Sequence, residues 1–136
     1  MRRTSWFSGR AIAATLACAV LLAACGDGER EAPAPQRAVR SAASGYLDAL
    51  AARDFERACR MMTAAARRAL ADTVGTCPSA LRESAASAAE DVATVRREIA
   101  GADVRIRGSS ATIGPFGAAQ RPLRLERAGG RWLVAG

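Results

Sequence analysis

Val104-Arg105-Ile106-Arg107-Gly108-Ser109-Ser110-Ala111-Thr112-Ile113 is the stretch where the chain changes its hydrophobic period. Val104 and Ile106 alternate with Arg105 and Arg107, the two-residue repeat of a strand with one buried face. Gly108-Ser109-Ser110 reads as a turn, and Ala111-Thr112-Ile113 returns as a second strand. The same period continues downstream. Leu123 and Leu125 alternate with Arg124 and Glu126, Ala128-Gly129-Gly130 supplies a second hairpin turn, and Trp132 and Val134 form the closing strand. Gly114–Arg121, which contains Pro115 and Gly117, reads as a loop. This alternation places Arg105, Arg107 and Arg124 on one sheet face, opposite Val104, Ile106, Leu123 and Leu125. That face suits an anionic partner, and it equally suits plain solvation in an Arg-rich chain.

Upstream of Gly101 the period is close to four. Val39, Ala43, Tyr46, Leu47 and Leu50 mark an amphipathic helix between Arg37 and Arg53. Asp54 is placed to cap a second, short helix in which Phe55, Ala58, Cys59 and Met62 share a face. Thr63 is placed to cap a continuation carrying Ala66, Leu70 and Val74, which Gly75 ends. Pro78 belongs in the first turn of the next helix. That helix runs through Leu81 and the Ala-rich stretch Ala85–Ala89 towards Val92 and Val95. Ile99 either continues its apolar face or opens a strand. Helices first and an antiparallel meander last make an α+β fold.

The N-terminal segment has its own signature. Arg2, Arg3 and Arg10 precede the apolar run Ala11–Leu22, and Leu22-Ala23-Ala24-Cys25 follows. A basic start, a short apolar core and small residues are the parts of a secretory signal. A run of 12 residues falls short of the roughly 20 that a membrane-spanning helix needs. Leu, two small residues and Cys resemble the signal of bacterial lipoproteins. That resemblance implies a leader over residues 1–24, acylation of Cys25, and anchoring at the extracytoplasmic face of the cell membrane. Residues 25–36 would then be the lipidated Cys and a flexible tether, and residues 37–136 a single domain. Cleavage without lipid, and retention as an uncleaved anchor, are the competing expectations.

With the leader gone, 17 Arg face 13 acidic residues, so the formal charge falls from +7 to +4. Such a modest charge, with few aromatics, argues against nucleic acid as a partner. The chain has neither His nor Lys. A hydroxyl nucleophile therefore has no imidazole base and a Schiff base has no amine. No acidic pair stands out, so no catalytic residues, cofactor or metal are expected. If Cys18 leaves with the leader and Cys25 carries lipid, only Cys59 and Cys77 remain. In an oxidising compartment they are expected to pair, with two buried free thiols as the alternative. Two thiols without His would leave a zinc ion under-coordinated.

Tyr46-Leu47-Asp48-Ala49-Leu50-Ala51-Ala52-Arg53-Asp54 leads into Ala58-Cys59, and Cys77 precedes a helix. A hairpin at Gly108 and the closing Gly130-Arg131-Trp132-Leu133-Val134-Ala135 complete the pattern. From Arg37 to Gly136 this resembles small lipoproteins of high-GC Gram-positive bacteria with a nuclear transport factor 2-like domain. That family packs helices into the concave face of a curved antiparallel sheet, forming a cone. The departure is the lack of a strand hairpin between the helices. The resemblance implies a concave cavity, for which Tyr46, Leu50, Phe55, Met62, Phe116 and Trp132 are the candidate lining. Ordinary core packing is the other use for these side chains. Trp132 is expected to face α-helical residues near Tyr46, Leu47 and Leu50. The functional expectation is a non-enzymatic module that binds a small apolar ligand or an envelope partner protein. A degenerate isomerase- or hydratase-like enzyme is the alternative.

Overall fold

The computed structural model describes residues 33–136. The expected leader over residues 1–24, the expected lipidation site Cys25 and the expected tether as far as residue 32 lie outside the described residues. Four helices precede four strands: α1 (Ala34–Ala51), α2 (Phe55–Arg60), α3 (Ala64–Val74), α4 (Cys77–Glu98), β1 (Val104–Arg107), β2 (Ser110–Phe116), β3 (Arg121–Ala128) and β4 (Arg131–Val134). The fold is α+β. The sheet is an antiparallel meander in the order β1-β2-β3-β4.

The helix ends follow local chemistry. Asp54, Thr63 and Thr76 each accept a hydrogen bond from the backbone N–H three residues on, capping α2, α3 and α4. Pro78 sits in the first turn of α4, where its missing N–H costs no intrahelical bond. α1 starts at Ala34, three residues before the boundary expected at Arg37. Pro33 is its N-cap and Pro35 lies in its first turn, so Ala34–Gln36 are helical rather than tether. Proline is compatible with a first helical turn, which the Pro-containing tether reading overlooked. Ile99 is the buried C-cap of α4, not the start of a strand.

The sheet extends further than the alternation alone indicates. The first turn is Gly108–Ser109, and β2 then runs on to Phe116, inside the stretch expected to be a loop. The register shifts between Ile113 and Phe116, across a cis Gly114–Pro115 bond. This irregularity hides the strand from a period-two reading, yet Phe116 returns to the core at 5% exposure. Gly114 has φ 111°, and a Cβ there would stand 2.8 Å from the Phe116 ring. Among the described residues no strand lies between the helices. In its place Met62 makes a single parallel bridge to Val134. Thr63 N–H donates to Val134 O at 2.8 Å, and Val134 N–H donates to Met61 O at 2.9 Å. The α2–α3 connection thus covers the β4 edge.

The register puts Ile106, Ala111, Leu125 and Val134 in one row across the inner face, and Val104, Ile113 and Leu123 in the next. Val39, Ala43, Tyr46 and Leu47 of α1 share a core cluster with these rows. α1 touches all four strands and fills the inner face. Arg40 ties it to the start of the sheet: Nε donates to Ile99 O at 3.1 Å and Nη2 to Ala102 O at 2.7 Å. Arg105, Arg107 and Arg124 lie exposed on the outer face. Cys59 and Cys77 form a disulfide with Cα atoms 6.2 Å apart. It joins α2 to the first turn of α4 and closes the loop that carries α3. No residue of α3 is buried, and Val74, expected on its apolar face, is 45% exposed.

Candidate functional site

The apolar face of α4 is longer than its partners can cover. At 1.5 Å per residue its 22 residues extend about 33 Å. On this side α1 contributes Tyr46, Leu50 and Ala51, and α2 is six residues long. Between these elements a groove of about 420 Å³ remains. Tyr46, Leu50 and Ala51 of α1, Phe55 of α2, and Leu81, Ala85, Ala88 and Val92 of α4 line it. Alanines on α4 leave space where larger side chains would close the contact. The volume lies within the usual range for small-ligand sites, roughly 300–1,000 Å³.

The polar edge is cationic. Among the described residues, Arg53 and Arg96 are the charged residues in the lining, and no carboxylate joins them. Arg96 is engaged: its Nη2 lies 2.9 Å and its Nε 3.0 Å from Asp48 Oδ1. This pair is about half exposed, so it orients Arg96 more than it stabilises the fold. Beyond the groove, the guanidinium of Arg82 sits 5.7 Å from the centre of the Phe55 ring. Burial pushes the Tyr46 phenol above its usual pKa, so it stays neutral.

Of the six candidate lining residues, three meet here: Tyr46, Leu50 and Phe55. Met62 and Phe116 are core residues at 6% and 5% exposure. Trp132 lies elsewhere, half-buried in a depression shared with Ala38, Ala42, Gly45 and Met61. It therefore lines α1 along Ala38–Gly45, on the N-terminal side of Tyr46, Leu47 and Leu50. The open space is on the helical side, since α1 occupies the inner face of the sheet. Leu81, Ala85, Val92, Arg53 and Arg96 were not legible as site residues. The available signal was the run of small residues on α4 facing a short α2.

Comparison with protein-family models, curated proteins and solved structures finds no match for this chain. Among the described residues, no helix is long and apolar enough to cross a membrane.

Proposed function

We propose that this chain is an exported lipoprotein, held at the extracytoplasmic face of the cell membrane by acyl chains on Cys25, whose domain binds a small apolar ligand without catalysis. The observation that carries the binding reading is the groove: an apolar floor of Leu50, Phe55, Leu81 and Val92 with no carboxylate in its lining among the described residues. A site for acid–base chemistry needs a titratable group held at the reacting atom, and this lining offers guanidiniums and one neutral phenol. The anchoring reading rests on Leu22-Ala23-Ala24-Cys25 and the basic, apolar segment before it. The Cys59–Cys77 disulfide is consistent with an oxidising compartment.

On fold kinship, we read the domain as a reduced relative of the nuclear transport factor 2-like cone. Support comes from the order of helices and sheet, from α1 lying across the inner face, and from the bridge at Met62 where the family carries a strand.

Two measurements test the functional reading. Cys25→Ser should release the protein from membranes or leave an unprocessed precursor; unchanged fractionation and migration refute the anchor. Ala85→Trp fills the groove, so it should abolish binding of an apolar fluorescent probe that the wild type takes up. Equal probe binding by both proteins removes the groove as the site.

A further inference from the structure

α1 ends in a geometry that asks for glycine and holds arginine. Arg53 N–H donates to Leu50 O at 3.0 Å and Asp54 N–H to Ala49 O at 2.9 Å. These two bonds form a Schellman motif, whose residue after the C-cap adopts a left-handed conformation. Arg53 occupies that position with φ 57°. A Cβ is disfavoured there, and glycine is the residue usually found. Glycine fills most other positive-φ positions among the described residues, including Gly75 at the end of α3; Gln120, at φ 50°, is the other exception. Arg53 lines the groove, and among the described residues no acid lines it beside Arg53.

The rest of the groove specifies the other half of a ligand. Its α4 wall runs from Leu81 to Arg96, about 22 Å at 1.5 Å per residue. That is the scale of an extended long-chain fatty acid. Leu50, Phe55, Leu81 and Val92 offer a continuous apolar floor along it. Arg96 already answers Asp48, which leaves Arg53 as the lining cation with no ion pair among the described residues. A guanidinium offers two parallel donors to a carboxylate.

We propose that the groove takes a single-chain fatty carboxylate, with the alkyl chain along α4 between α1 and α2 and the head group on Arg53. The proposal rests on the groove being the binding site, as argued above. In this arrangement the strained residue at the end of α1 is retained for its guanidinium, a backbone cost accepted at a ligand contact.

The test compares palmitate with hexadecanol on the full-length protein, by displacement of a fluorescent probe below the micelle concentration. Palmitate should bind wild type about tenfold or more tighter than the alcohol, the worth of one charge-assisted contact. Arg53→Gly should erase that preference, bringing palmitate to the same affinity as hexadecanol. Because glycine relieves the left-handed position, Arg53→Gly should also raise Tm by about 4–8 °C. Arg53→Lys should restore part of the preference. Equal affinity for acid and alcohol in wild type, or a preference that survives Arg53→Gly, overturns the carboxylate assignment while the groove reading stands. If neither amphiphile binds, or if both bind equally well to Ala85→Trp, the groove reading fails as well. Tighter binding of a lysophosphatidate than of palmitate would also overturn the carboxylate assignment, in favour of a phosphate head group.

Discussion

Opening the Cys59–Cys77 disulfide should loosen the protein in a defined order. The two residues are 18 apart in sequence, and a closed loop of that length restricts the unfolded chain by about 3 kcal/mol on the chain-entropy model. Reduction of the wild type isolates this contribution. Cys59→Ala/Cys77→Ala adds the loss of two sulfur atoms from positions only 5% and 7% exposed, about 1–2 kcal/mol more by comparison with buried methylene deletions. Together these losses of about 4–5 kcal/mol rival the whole stability of a small domain, about 5–15 kcal/mol. The loss should be uneven. α3 lies wholly within the loop and buries no side chain, so its amides should exchange first, whereas α1 crosses the sheet and should exchange last. Urea unfolding of the oxidised, reduced and double-Ala proteins gives the energies, and hydrogen exchange gives the order. A reduced protein within 1 kcal/mol of the oxidised one, or α3 amides as protected as those of α1 after reduction, would refute the reasoning.

Arg40→Ala should cost about 2–3 kcal/mol, because one part-buried cation donates to both Ile99 O and Ala102 O; Arg40→Lys should recover less than half in urea melts, since an ammonium lacks the planar fork. Trp132→Ala should cost about 2–3 kcal/mol, less than the 3–5 kcal/mol of a fully buried Trp, because its ring is half-buried; loss of more than 4 kcal/mol would contradict that placement. Tyr46 is the only tyrosine, so phenolate absorbance reports it alone. Its folded pKa is raised by burial, so its contribution to stability is complete below the unfolded value near 10 and is lost as pH rises through the folded value. Alkaline unfolding that tracks phenolate formation, and that Tyr46→Phe delays, is the expected result.

Features that depend on near neighbours along the chain were legible without the structure. Asp54, Thr63 and Pro78 announce helix starts because capping acts over three residues. Val104, Ile106, Leu123, Leu125 and Val134 announce a half-buried sheet because side chains alternate with period two. With Cys18 and Cys25 assigned to the leader and the lipid, Cys59 and Cys77 had one possible pairing, and the structure forms it. Phe116 shows where this logic stops, since the irregularity at Gly114 and Pro115 breaks the period before the strand ends. The groove lies wholly beyond it. Tyr46, Leu50 and Phe55 were legible as large apolar residues, but not their meeting with Leu81, Ala85 and Val92. That meeting depends on α1 filling the sheet and on α2 being too short to cover α4. Arg53 reads from sequence as one more residue on a polar helix face. Only the way α1 ends gives it a left-handed backbone and a place beside the groove, because no glycine marks that terminus in the sequence and the other groove walls come from distant α4.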